Sequence, residues 1–228
     1  MKLNHLAIAG IPKYNCLNIA DNSLDEYYKL LINFGALCNK AVMQEKEYKG
    51  SATESGILKF AESLISIEEL REKNPIVNEI PFNSRNKFHL TIHKLNKISV
   101  IPAACQSIFD ASTDKELLCI IKGAPEVIME LCSYGLNKDK IEEFDKTKEL
   151  CSKLSVTLAS NGERVIGLAF VFLNSKNPET VEENNLPKDL CFAGLLSLID
   201  PPRPGVAEAV SSCHDGSIKV MMVTGKYR

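Results

Sequence analysis

The sequence predicts an α+β fold, and three features carry that reading. Amphipathic helical periodicity dominates the N-terminal part, strand chemistry takes over from Ile76, and the C-terminal stretch switches to a strand-helix-strand pattern. With 228 residues the chain can bury a substantial core as one large domain or two small ones. It is 45% hydrophobic and 25% charged with a formal net charge of −2, which argues against a general nucleic-acid binder. Its eight cysteines include no Cys-x-x-Cys pair. Cys38, Cys119, Cys132, Cys191 and Cys213 sit in apolar stretches, as reduced buried thiols of a cytosolic protein do. The N-terminus lacks signal-peptide form, since Asn4, His5 and Pro12 interrupt its apolar residues. No apolar run approaches the roughly 20 residues that span a bilayer, so a soluble, cytoplasmic chain without direct membrane insertion is expected.

Residues 1–22 read as an irregular segment. Ser23-Leu-Asp-Glu26 has capping-box form and opens a helix whose apolar stripe is Tyr27, Leu30, Leu31, Phe34 and Leu37. Ser51-Ala-Thr-Glu54 repeats that form before Ile57, Leu58, Ala61, Leu64 and Ile65, and Ser66-Ile-Glu-Glu69 starts a short third helix. A strand from Ile76 to Phe82 then leads through a turn at Asn83–Asn86. Phe88, Leu90 and Ile92 alternate with His89, Thr91 and His93, the pattern of a half-buried strand. Residues 95–116 read as a long loop.

Leu117–Ile121 reads as a buried strand, and Pro125 begins a helix carrying Val127, Ile128, Leu131 and Cys132. Ile141, Phe144, Cys151, Leu154 and Leu158 mark a long helix stopped by Asn161-Gly162. Arg164–Leu173 is a strand, 174–189 a polar loop and Leu190–Ile199 a further strand. After Asp200-Pro-Pro-Arg203, a helix from Pro204 to Cys213 and a strand Ile218–Val223 complete a β-α-β unit with parallel pairing.

Lys122-Gly-Ala-Pro-Glu126 is the most telling stretch, because a lysine at a strand end followed by glycine sets a positive charge beside bare backbone. That arrangement suits a polyanion such as ATP. Taken with Ser51-Ala-Thr-Glu-Ser55, Ile80-Pro-Phe-Asn-Ser-Arg-Asn-Lys87, Gly162-Glu-Arg-Val165, Asp200-Pro-Pro-Arg203 and Met222-Val-Thr-Gly225, all in one order, it resembles the cytoplasmic nucleotide-binding domain of P-type cation-transporting ATPases. The flavour is nearest the sodium/potassium and proton/potassium pump α subunits. The resemblance implies an antiparallel β-sheet flanked by helices over residues 23–195. Residues 196–228 would begin a Rossmann-like phosphorylation domain of haloacid-dehalogenase type.

The resemblance also implies roles. Phe82 would stack on adenine, with Lys87 close to the adenosine part; taken alone, Phe82 reads as core at a strand end and Lys87 as a solvated surface charge. His89 stands where the pump branch commonly has glutamine, at the adenine edge. Glu54 resembles the carboxylate facing the adenine amino group, a role that competes with its place in a capping box. Lys122 and Gly123 would line the nucleotide cavity, the glycine letting the ligand approach the backbone. Arg164 resembles the arginine that meets ribose and phosphates, for which a planar guanidinium is suited. Asp200 and Arg203 resemble hinge-side residues of the phosphorylation domain, and Thr224-Gly225 its phosphate-contacting loop, with Lys226 in place of the usual aspartate.

The expected activity is ATP binding without turnover, the phosphorylated aspartate, the Mg2+ site and the membrane helices belonging to the rest of a parent pump. The expected partners are therefore ATP and the remaining pump domains. Phe144-Asp-Lys-Thr-Lys148 imitates the phosphorylation motif, but Lys148 stands where glycine is required and the segment reads as helix. Two other readings stay open: a haloacid-dehalogenase-type phosphatase using Asp145, and a non-catalytic interaction or regulatory module from a truncated product.

Overall fold

The computed structural model describes residues 1–8, 26–45, 47–95, 116–137, 140–173, 178 and 181–223. Ser23, nearly all of the 95–116 loop and Thr224-Gly225 lie outside the described residues. After the strand β1 (Lys2–Ile8) come helices α1 (Glu26–Leu37), α2 (Ala52–Ala61) and α3 (Ile67–Lys73), with a two-stranded hairpin of β2 (Val42–Gln44) and β3 (Glu47–Lys49) between α1 and α2. The large sheet is built from β1 (Lys2–Ile8), β4 (Ile76–Ile80), β5 (Phe88–Lys94), β6 (Leu117–Gly123), β7 (Cys132–Asn137), β8 (Lys140–Glu143), β9 (Arg164–Leu173) and β10 (Leu190–Ile199). Its order is β4-β5-β6-β9-β10-β7-β8, with β1 also paired to β10, and every pairing except β10 with β7 is antiparallel. The helices α4 (Pro125–Glu130), α5 (Asp145–Ser160) and α6 (Val206–Asp215) complete the described elements. The implied α+β architecture, a mainly antiparallel sheet flanked by helices, is what forms.

Side-chain alternation along the strands divides the interior into two layers. On β6, Leu118 and Ile120 pack with α1, α2 and α3, while Leu117, Cys119 and Ile121 pack with α4 and α5. Each fully buried Leu, Ile or Phe contributes roughly 1.5–3 kcal/mol, so a strand apolar on both faces, as β6 is, anchors both layers. Ser51 and Ser66 cap α2 and α3 by accepting from the amides of Glu54 and Glu69. Gly162, at φ +79, takes the left-handed turn after α5.

Several expectations need correction. Lys2–Ile8 is a strand, not an irregular segment. Its pairing steps from Leu3↔Leu198 to His5↔Ser197, so a bulge places Leu3 and Leu6 in the same core and erases the two-residue alternation that marks a strand. The helix after Pro125 ends at Glu130, and Cys132 begins β7 instead of continuing it. Ile141 lies in β8, so the long helix starts only at Asp145. Gly135 weakens the strand signal of β7, and its missing Cβ makes room for the Phe144 ring, 2.8 Å from where that atom would stand.

The C-terminal strand Ile218–Val223 does not form, and its apolar side chains Met222 and Val223 are 88% and 95% exposed. The reason is topological. One edge of β10 is taken by β9, and the other is shared between β7 at Leu190–Phe192 and β1 at Gly194–Ile199. No edge is left for a parallel partner after α6.

β5 is not half-buried either: Phe88 through His93 are all buried. Its polar face lies under the α1–α3 layer, where His93 donates from Nδ1 to the Asn74 carbonyl (3.0 Å) and accepts at Nε2 from Thr91 (2.9 Å). Burial holds the His93 imidazole down at about 4, the Asn74 bond only partly opposing it. The folded state therefore resists a proton that the unfolded chain takes up near pH 6.5, and stability falls as pH drops from there toward 4. Of the other shifted groups of this face, Glu54 and His89 leave the upper part of that window untouched, while the Cys38 thiol, which burial would raise but His89 and Lys122 hold below its ordinary value, adds a slope of the same sign. A carboxylate shifted down loses stability only below its ordinary value near 4.5, and a histidine shifted up loses it only above 6.5. His93 should contribute up to about 1.4 kcal/mol per pH unit to the loss of urea-unfolding free energy between pH 6.5 and 5, and His93→Gln should remove that part of the slope.

Candidate functional site

A cleft of about 580 Å³ opens where β5 starts, β6 ends and β9 starts, roofed by the first turn of α2. Its size suits a small-molecule site. Glu54, Phe82, Lys87, His89, Lys122, Gly123 and Arg164, separated by up to 110 positions in sequence, all line it.

The floor is ionic. Lys122 is only 7% exposed, and its Nζ donates to Glu54 Oε1 at 2.9 Å. The positive charge first read as free for a polyanion is thus already paired. Glu54 keeps both of its competing roles: its amide donates to Ser51 Oγ and its Oε2 accepts from that hydroxyl at 3.3 Å, while its Oε1 turns to the cleft, accepting also from the Lys40 amide at 3.3 Å. His89 lies across β5 and β6 from Lys122 and is 1% exposed. Its Nε2 donates to Glu79 Oε1 at 2.7 Å, and its Nδ1 stands 3.7 Å from Glu54 Oε1. Glu79 is reached by the Lys40 ammonium at 3.2 Å. Five charges thus alternate in sign from Lys40 through Glu79, His89 and Glu54 to Lys122.

These contacts set the protonation states. Burial would raise the Glu54 carboxyl, but the facing His89 imidazole and the Lys122 ammonium hold it far below the usual carboxylate range. Burial would lower the His89 imidazole, yet Cys38 and Glu54 lift it to about 10. His89 is therefore a cation near neutral pH, a donor at both ring nitrogens rather than a neutral donor-acceptor pair.

The rim is built by strand ends. Phe82, just past β4, is 61% exposed, which rules out a place in the core at a strand end. Lys87 takes a left-handed backbone (φ 59) that closes the turn, its amide donating to the Asn83 carbonyl and its own carbonyl accepting from Ala124 at 3.0 Å. A Cβ on Gly123 would lie 2.3 Å from that Lys87 carbonyl. Glycine is required at 123 by the approach of β5, whatever enters the cleft. Arg164 opens β9 and donates to Thr53 Oγ1 at 3.0 Å.

Asp200 and Arg203 are exposed and do not line the cleft; Asp200 Oδ1 stands 3.8 Å from the Met1 amine. Lys40 and Glu79 are floor residues that the sequence reading missed. Glu79 carried one usable signal, the single charge in the strand Ile76–Ile80, whereas nothing in Cys-Asn-Lys-Ala marks Lys40.

Residues 27–205 match the family described as P-type ATPase, cytoplasmic domain N. The chain belongs to the P-type ATPases. It is 40% identical to the human sodium/potassium-transporting ATPase subunit alpha-4, over 87% of this chain and 19% of that protein. It is 39% identical to the Tetronarce californica sodium/potassium-transporting ATPase subunit alpha, over 88% of this chain and 20% of the relative. The Oryctolagus cuniculus potassium-transporting ATPase alpha chain 2 is 35% identical over 98% of this chain and 22% of its own length. This domain N thus spans about a fifth of the length of these curated relatives. Among the described residues, no helix is long and apolar enough to cross a membrane.

Removing one partner of a buried ion pair strands the other charge, which costs about 3–5 kcal/mol. Glu54→Gln should therefore destabilise this domain N strongly, while adding Lys122→Met should recover part of the loss. A double-mutant cycle by urea denaturation should give a coupling of about 1–3 kcal/mol; additive losses would show that the pair is not what holds the floor.

Proposed function

We propose that this cleft binds ATP by its adenosine end. In a whole pump of the sodium/potassium or proton/potassium type, the domain would present the γ-phosphate to an aspartate of a neighbouring domain. The observation that carries this reading is the conjunction, in one cleft, of an exposed aromatic ring at the rim and a buried floor of paired charges. A ring such as Phe82 stacks on a purine irrespective of its hydrogen bonding. The floor offers a purine edge the Glu54 carboxylate as an acceptor, held in place by Lys122 and by the facing His89 ring. Lys87 and Arg164, on the rim, supply positive charge for the phosphates, Arg164 with the planar fork that suits phosphate oxygens.

The division of labour follows from burial. Lys122 is neutralised by Glu54, so it orients the carboxylate and does not compete for phosphate. Phosphoryl transfer is positioning plus electrostatic stabilisation by metal and cationic groups. Here the domain supplies positioning, and Mg2+ is assigned to the transfer step of the parent enzyme. Among the described residues no group of three or more His, Cys, Asp and Glu stands ready to hold a metal ion. Asp145 opens α5, a helix that contributes nothing to the cleft lining, which speaks against the phosphatase reading.

Isothermal titration with ATP up to millimolar concentration tests the proposal. Phe82→Ala should weaken binding by about 1–3 kcal/mol, roughly 5- to 150-fold, with the melting temperature of the free domain unchanged because the ring is exposed. Undiminished binding by Phe82→Ala would count against the site.

A further inference from the structure

The side chain that organises the cleft floor lies outside the cleft. Arg71, on α3, spends its guanidinium on backbone carbonyls of the turn that follows α1. Nε and Nη2 donate to Ala36 at 3.3 and 3.1 Å, Nη2 also to Asn39 at 2.8 Å, and Nη1 to Ala41 at 2.9 Å. Asn39 tightens the same turn: its Oδ1 accepts from the Ala41 amide at 2.9 Å, and its Nδ2 donates to the Gly35 and Glu54 carbonyls at 3.3 and 3.1 Å.

Three contacts of His89 trace back to this clamped stretch. The Lys40 amide holds Glu54 Oε1, which faces His89 Nδ1. The Lys40 ammonium holds Glu79 Oε1, which takes the bond from His89 Nε2. Cys38 Sγ stands 3.4 Å from the His89 carbonyl. A helix end leaves its last carbonyls without intrahelical partners, and one forked cation can satisfy several of them at once. The same fork thereby fixes where Lys40 and Cys38 point.

We infer that Arg71 is a positioning residue for the nucleotide cleft: by clamping residues 36–41 it places Lys40, and through Lys40 the two carboxylates that flank His89. It touches no ligand. Its effect reaches the cleft as the spacing of charges on the floor, which decides how firmly His89 keeps both protons and how Glu54 is presented. Lysine at 71 keeps the charge but offers a single ammonium on a flexible stem, which cannot bridge three carbonyls.

The test reads His89 directly. In the intact chain, 15N NMR follows the His89 ring nitrogens against pH. The groups that face the ring are Cys38, Glu54, Glu79 and Lys122, with His93 on the same strand. Arg71→Lys should lower the His89 titration midpoint by at least about one pH unit and weaken ATP binding by about tenfold. Leu70→Ala serves as the matched control. Leu70 is buried on the same helix, so its truncation lowers the melting temperature while leaving every hydrogen bond of Arg71 and Asn39 to the turn, and it should leave the His89 midpoint in place.

A midpoint unmoved in Arg71→Lys, or moved equally by Leu70→Ala, would reduce Arg71 to a purely structural role and overturn the inference. If Arg71→Lys does not fold, Asn39→Ala carries the same test. It removes the turn's bond to the Glu54 carbonyl with Arg71 still present, and His89 must again move down. The affinity arm rests on the proposed ATP site, and the titration arm does not. Absent ATP binding in the unmodified chain would sink the proposed function while leaving the positioning role to be judged on His89 alone.

Discussion

The chain of alternating charges from Lys40 through Glu79, His89 and Glu54 to Lys122 ties the α1–α3 layer to the edge of the sheet. Its members come from the turn after α1, from β4, β5 and β6, and from α2. Taking such groups out of water costs several kcal/mol per ion, and only close pairing of opposite signs offsets that loss. Of its members, the buried Glu54, His89 and Lys122 can therefore not be removed or reoriented alone, whereas the Lys40 ammonium is half-exposed. The cleft sits on a floor whose geometry is over-determined, while its rim, with Phe82 and Arg164 exposed, is left open to a ligand. Rigidity below and access above are what a site needs to hold a small molecule in one orientation.

The same sheet explains where the cleft lies. β6 is apolar on both faces and pairs with β5 on one side and β9 on the other, so its end brings Lys122 and Gly123 beside the starts of both neighbours. The pairs Phe88↔Gly123 and Gly123↔Gly167 set that junction, and the Lys87 carbonyl approaches Gly123 too closely for any side chain there. Close backbone approach at this corner lets Lys87 close its turn in a left-handed conformation, a state that costs non-glycine residues about 1–2 kcal/mol. Strain of this kind persists where the surroundings hold it in place, and it is found here at the cleft rim.

Much of this was legible beforehand, and the residues show why. The stripes of α1 and α2, the serine caps at Ser51 and Ser66, the apolar runs of β6, β9 and β10 and the Asn161-Gly162 stop are local signals, complete within a few residues. β1 escaped because a bulge breaks its alternation, and β7 because Gly135 and Ser133 weaken its strand signal. Ile218–Val223 looked like a strand for a sound local reason, yet strandhood needs a free edge and β10 has none.

The sequence by itself determined the α+β class, the family resemblance and the set Glu54, Phe82, Lys87, His89, Lys122, Gly123 and Arg164, because motifs keep their identity and order without any folding. Only the tertiary structure decided what those residues do to one another. It paired Lys122 with Glu54, made His89 a cation between two carboxylates, recruited Lys40 and Glu79, and placed Arg71 behind them all. Coulomb attraction and desolvation depend on distance and burial, and neither is written in the spacing of residues along the chain.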